Sequence, residues 1–167
     1  MDERQMKTNQ KIFDKRNQKR ANPILKLSNL ADLKENDLER LTALMLGRQG
    51  YDVERNVWIR GKSDERYDID IYAEKQKWLG IVRGYSLIAE IKNSEIGIDS
   101  IISYKLIFED ISSRLKMNQC MMVTNKSFTS EARKYAEDFE INILDREELT
   151  KKLEENGLIW LTKKEEK

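Results

Sequence analysis

Three stretches of period-two hydrophobicity follow one another with no helical pattern between them, and this run most restricts the folds open to the chain. Tyr51, Val53, Val57 and Ile59 alternate with mainly polar residues. Tyr67, Ile69, Ile71 and Ala73 alternate with Asp68, Asp70 and Tyr72, and Leu87 to Lys92 forms the third stretch. Gly61-Lys62-Ser63-Asp64 supplies a turn between the first two, and Gly80 and Gly84 bracket a loop or hairpin tip before the third. The period then changes. Ile101, Tyr104, Phe108, Ile111 and Leu115 recur at helical spacing within 99–116. Cys120-Met121-Met122-Val123 is a continuous apolar run, suited to a central strand buried on both faces. Thr129 is placed to cap a helix with Ala132, Tyr135, Ala136 and Phe139 on its inner face. Ile141 to Leu144 is a short strand, and Asp145 with Glu148 forms a capping box that Leu144 and Leu149 would staple. Ahead of all this, Asn36-Asp37-Leu38-Glu39 makes a capping-box-like start to a helix with Leu38, Leu41 and Met45 on one face, ended by Gly47 and Gly50. The order αβββαβαβα, a meander followed by crossovers, predicts an α/β fold with a mixed β-sheet flanked by helices.

The length of 167 residues suits one ordinary domain. The net charge of +1 hides an asymmetry: residues 1–20 carry Arg4, Lys7, Lys11, Lys15, Arg16, Lys19 and Arg20 against Asp2, Glu3 and Asp14, a surplus of +4. This suggests a charged arm or short helices over 1–35, a folded unit over 36–155 and a tail over 156–167. The arm reads either as a solvated terminus or as a basic segment that touches phosphates. The start MDERQMKTNQ is polar and no apolar run approaches a membrane span, so a soluble, cytoplasmic protein with no membrane contact is expected.

The chain contains no His, which excludes Ser-His-Asp and Cys-His triads, histidine bases and His-ligated metals. One Cys excludes internal disulfides and cysteine-rich metal clusters. Cys120 lies in an apolar run and reads as a buried small residue, not a nucleophile. What remains for chemistry is carboxylates, Lys, Arg, Tyr, Ser and Thr, or a hard metal held by oxygen.

One constellation answers that description. Side chains alternate along a strand, so Asp68 and Asp70 should point opposite to Ile69 and Ile71. On the third strand Glu90 and Lys92 share a face with Ile88, opposite Leu87, Ala89 and Ile91. Pairing of the two strands brings Asp70, Glu90 and Lys92 together. Two carboxylates supply oxygen ligands, leaving positions for water and a phosphate oxygen. Lys92 can orient or deprotonate the attacking water, or stabilise developing charge. The competing reading is a surface salt bridge on a half-exposed sheet. Glu165-Glu166-Lys167 and Asp32-Leu33-Lys34 have the same spacing, but neither lies on an apolar strand.

An Asp on the second strand and Glu-x-Lys on the third, within this order of elements, resemble the PD-(D/E)xK nuclease superfamily. The segments DLERLTALMLGRQGYDV (37–53), RYDIDIYA (66–73), LIAEIKN (87–93), MMVTNKSFTSEARKYA (121–136) and INILDREEL (141–149) resemble the Mrr-type restriction endonuclease catalytic domain. The resemblance implies a restriction-endonuclease-like fold and metal-dependent cleavage of phosphodiester bonds in DNA, with Mg²⁺ as cofactor and Mn²⁺ able to substitute. It implies Asp70 and Glu90 as metal ligands, the Ile91 carbonyl as a third ligand and Lys92 as the catalytic lysine. Glu39 matches the acid of the first helix that helps build the site, although Asn36-x-x-Glu39 also reads as a capping box. Many Mrr-type domains carry Gln-x-Lys where this chain has Glu90-x-Lys92.

Rival functions are a structure-specific junction resolvase, a DNA-binding module of nuclease fold without cleavage, and a structural interaction domain. A homodimer is expected because cutting two strands needs two sites. Arg60-Gly61-Lys62-Ser63 resembles the end of a P-loop, but Asn56 replaces the required glycine and a strand follows. Asp68 reads as a surface acid, Tyr67 and Tyr72 as sheet packing, and Asn93 as a strand-end polar group. Trp58 and Trp160 read as core or interface, and Trp78 as a candidate to touch DNA.

Overall fold

The computed structural model describes residues 30–75, 84–115 and 117–159. A short 3-10 turn, Leu30–Asp32, leads into α1 (Glu35–Arg48). The meander follows as β1 (Asp52–Arg60), β2 (Arg66–Lys75) and β3 (Tyr85–Lys92). Then come α2 (Ile98–Leu115), β4 (Gln119–Thr124), α3 (Ser130–Asp138), β5 (Asn142–Leu144) and α4 (Arg146–Glu155). This is the order the hydrophobic periods predict.

The five strands form one sheet in the order β1-β2-β3-β4-β5. The β1–β2 and β2–β3 pairs are antiparallel, whereas β3–β4 and β4–β5 are parallel. The central strands separate two cores. On one face Leu38, Leu41, Met45 and Leu46 of α1 and Leu149 and Leu153 of α4 pack against Leu87, Ala89, Ile91 and Val123. On the other face Ile101, Tyr104 and Ile111 of α2 and Ala132 and Ala136 of α3 pack against Ile88, Cys120 and Met122. Burial on both sides explains why β4 reads as a continuous apolar run. Burial also pushes the Cys120 thiol up to about 11, so it stays a protonated, inert filler.

Several local expectations are corrected. The start of α1 is not a capping box: Lys34 stands at the N-cap without a side-chain hydrogen bond. Asn36 and Glu39 both turn instead to Arg55 of β1. Gly47 lies within α1, and Gly50, at φ +90, carries the chain out of it. Leu115 is 43% exposed and Phe139 stacks on Tyr135 at the surface, so the inner faces of α2 and α3 are narrower than the spacing implies. Trp58 is 67% exposed, not core. Trp78, Trp160 and the basic residues of 1–20 lie outside the described residues. The Thr129 cap of α3 and the Asp145–Glu148 capping box of α4 are present as expected.

Packing extends to both sides of 36–155. Leu30, Leu158 and Ile159 are buried in the α1 core. The turn at 30–33 is held by Asn125, whose buried amide nitrogen donates to the carbonyls of Leu30, Ala31 and Leu33. Among the described residues, no helix is long and apolar enough to cross a membrane.

Candidate active site

The site forms where the sheet opens. The β2–β3 ladder runs from Lys75 opposite Tyr85 to Ile71 opposite Ala89, and ends there. β3 continues through Glu90, Ile91 and Lys92, paired with Met122, Val123 and Thr124 of β4. Asp70 stands at the fork. Its Oδ2 accepts the Ile91 N–H at 2.7 Å, so a carboxylate takes the amide at the point where β2 leaves β3.

A change of face accompanies the fork. Ile71 and Ala73 belong to the α1 core, but Tyr67 and Ile69 pack with the α2 core. Simple alternation, which predicts Ile69 and Ile71 on one side, is therefore broken at Asp70. On β1, Asn56 occupies the register position opposite, between Arg55 (paired with Ile71) and Val57 (paired with Ile69). Asn56 has φ +54, a left-handed conformation that asparagine tolerates better than most residues, and it lets the hairpin change face. Beyond the bend the hairpin is tied to α2. Asp110 accepts from the Ser63 amide, the Ser63 hydroxyl and the Tyr67 hydroxyl.

Glu90 and Lys92 project from β3 toward α2. Glu90 Oε1 and Lys92 Nζ are 2.7 Å apart. Burial acts to lower the Lys92 pKa, but the hydrogen bond and charge of Glu90 outweigh it and hold Lys92 above its ordinary value. Lys92 is therefore a cation in this arrangement. Asp70 moves the other way from a typical surface carboxylate. Burial, reinforced by repulsion from Glu90 and Glu39, pushes it up to about 6 against the pull of the Ile91 N–H and Lys92. The three predicted residues are thus brought together at one fork, and the two carboxylates there lack sufficient positive charge. A hard divalent cation fits that donor set: two carboxylates, with the Ile91 carbonyl at the same strand end. Among the described residues, no three Asp, Glu, Cys or His side chains group closely enough to hold a metal ion.

Glu39 is 8% exposed, and its Oε2 pairs with Arg55 Nη2 at 2.7 Å, the same nitrogen that reaches Asn36 Oδ1 at 2.7 Å. It contributes negative charge toward Asp70 without touching it. Asp68 is exposed on the hairpin, Tyr67 and Tyr72 pack in the sheet, and Asn93 is exposed beyond the strand.

A cavity of about 290 Å³ adjoins the fork, lined by Glu90, Lys92, Asp99, Ser100, Ser103, Tyr104, Ile107 and Met122. The α2 residues of this wall were not legible as site residues. Their one signal is the polar Ser100 and Ser103 on the side of α2 that also carries Tyr104.

A family model, Mrr_cat, described as restriction endonuclease, matches residues 30–153. The fold and the fork define the class of restriction-endonuclease-like domains, and the chain belongs to this restriction endonuclease family, a family of DNA endonucleases. Among solved structures, a protein of unknown function, AF1548, aligns with TM-score 0.61 at 23% identity, covering 74% of this chain and 67% of that one. Protein VC1899 from Vibrio cholerae aligns with TM-score 0.55 at 16% identity, covering 73% of this chain and 33% of that one. A repair endonuclease from Pyrococcus abyssi aligns with TM-score 0.49 at 16% identity, covering 69% of this chain and 47% of that one. The chain thus spans less than half the length of the last two. No curated protein matches.

Proposed function

We propose that the chain is a divalent-metal-dependent DNA endonuclease that hydrolyses phosphodiester bonds, with Asp70, Glu90 and Lys92 as its working residues. The observation that carries this is the convergence of the three at the fork between β2 and β3, joined by the Ile91 N–H to Asp70 contact. Asp70 has its Oδ1 left to offer a cation, since Oδ2 is engaged by the backbone. Glu90 and the Ile91 carbonyl complete the oxygen set. A bound Mg²⁺ or Mn²⁺ would supply Lewis acidity, making water more acidic and neutralising charge on the phosphate. Lys92 acts by orienting the nucleophile and stabilising charge on the phosphate. In-line attack by water leaves a 5′-phosphate and a 3′-hydroxyl with no covalent intermediate.

Glu39 enters as an outlying acid, paired with Arg55 and adding negative charge toward Asp70. The basic residues of 1–20 would add sequence-independent phosphate contacts. Two copies acting together would cut both strands. Defence, mobile-element or repair settings all suit such an activity.

The test is incubation of the protein with supercoiled plasmid in Mg²⁺, Mn²⁺ or EDTA, beside Asp70→Ala and Lys92→Ala. Nicking that needs metal and is lost in both variants is expected. Cleavage that survives in Asp70→Ala would place the chemistry elsewhere.

A further inference from the structure

Among the described residues that line the cavity, Tyr104 carries a buried polar atom without a hydrogen-bond acceptor. It sits on α2, 2% exposed, and packs among Ile88, Ile101, Cys120 and Met122 in the second core. Its hydroxyl is buried and its O–H has no acceptor; the Met121 backbone N–H lies close enough to act on its oxygen. Burial raises its pKa well above the ordinary value, Cys120, Glu90 and Asp70 push it the same way, and the Met121 backbone N–H pulls against them, so the hydroxyl keeps its proton and its O–H is a donor. A buried donor left unmatched costs stability, and phenylalanine would fill the same volume without that cost. Tyr104 lines the same cavity as Glu90 and Lys92.

Glu90 has competing demands. Its Oε1 is paired with Lys92 Nζ at 2.7 Å. Under the function proposed above, Glu90 must hold a cation while Lys92 turns to the phosphate. A carboxylate that loses its lysine needs another donor to fix its plane, as carboxylate ligands generally do. The Tyr104 hydroxyl is a buried donor without an acceptor, on a residue that lines the same cavity as Glu90.

We propose that Tyr104, which lines a cavity with Glu90 and Lys92 and carries a buried O–H without an acceptor, is a positioning residue: its O–H holds Glu90 in the cation-binding orientation and frees Lys92 for the phosphate. The role rests on Asp70 and Glu90 being the metal ligands, and the test separates the two ideas.

The experiment compares wild type, Tyr104→Phe and Asp70→Ala. Mn²⁺ binding to the full chain is measured by calorimetry, thermal unfolding is followed without metal, and plasmid cleavage is measured at varied Mg²⁺ and DNA. For Tyr104→Phe we expect Mn²⁺ affinity to weaken roughly ten-fold, with kcat falling by a similar factor. Its KM for DNA should be unchanged, and its metal-free Tm equal to or above that of wild type. Equal Mn²⁺ affinity in wild type and Tyr104→Phe, with binding abolished by Asp70→Ala, would overturn the role of Tyr104 and leave the metal site standing. Mn²⁺ binding that Asp70→Ala does not disturb would overturn both. A lowered Tm with unchanged Mn²⁺ affinity would show the hydroxyl to be a structural partner and would also overturn the proposal.

Discussion

Asp70 Oδ2 accepts the backbone amide of Ile91 at 2.7 Å, and this single contact bridges the place where β2 parts from β3. It fixes one carboxylate beside the strand end that carries Glu90 and Lys92. It also buries that carboxylate among like charges, which has a measurable consequence.

The metal-free protein should lose stability as pH rises from about 4 to 6, because Asp70 is pushed from 3.8 up to about 6 in the fold. In that window the native state binds more protons than the unfolded chain, so deprotonation favours unfolding. Asp70→Asn removes the buried charge and should raise Tm above pH 6 while abolishing cleavage. A Tm difference between variant and wild type that stays constant from pH 4 to 7 would contradict the burial argument.

Lys92→Met should leave Mn²⁺ binding intact while lowering kcat by about 10²–10³-fold, the scale of removing one charge-stabilising donor. Lys92→Arg should recover part of the rate by keeping the cation. Single-turnover cleavage at saturating metal separates these effects from binding.

Arg55→Ala should destabilise the protein by about 2 kcal/mol, the scale of hydrogen bonds to a charged group. Arg55 Nη2 serves both Glu39 and Asn36, and Glu39 is left as a nearly buried, unpaired carboxylate when it is removed. Adding Glu39→Ala should restore part of the loss in a denaturant double-mutant cycle. Glu39→Ala alone also reports on the acid itself: a rate loss greater than its stability loss explains would place it in the active site.

Gly61→Ala should cost about 1–3 kcal/mol, as forced overpacking does. An added Cβ would lie 1.8 Å from Asp110 Oδ2. Asp110 cannot swing aside cheaply, since Ser63 and Tyr67 hold it. The measurement is chemical denaturation, paired with Asp110→Ala, whose smaller side chain should relieve the clash when the two changes are combined.

The periods in the sequence were sufficient for the element order, because each strand and helix buries one or two faces and local spacing reports those faces directly. Glu90-Ile91-Lys92 was legible for the same reason: a polar pair at alternate positions on an apolar strand stands out. The absence of histidine narrowed the chemistry to carboxylates, Lys, Arg, Tyr, Ser and Thr, or a hard metal held by oxygen. The α2 wall was not legible, because Tyr104 reads as an ordinary core position and nothing local reveals a hydroxyl without an acceptor. The capping box expected at Asn36 and Glu39 does not form, since a capping box and an ion pair with a distant strand use the same residue at the same spacing. Asn125, which pins the turn before α1, gave no signal either, its partners lying more than ninety residues away.

The sequence by itself therefore determined the elements, their order and which residues could perform chemistry, because hydrophobic spacing and side-chain type are local properties. Only the tertiary structure decided that β2 changes face at Asp70, that Asp70 takes the Ile91 amide, and that Arg55 claims Glu39. Those outcomes depend on strand register, on one left-handed residue in a neighbouring strand, and on charges that meet only once the sheet has closed.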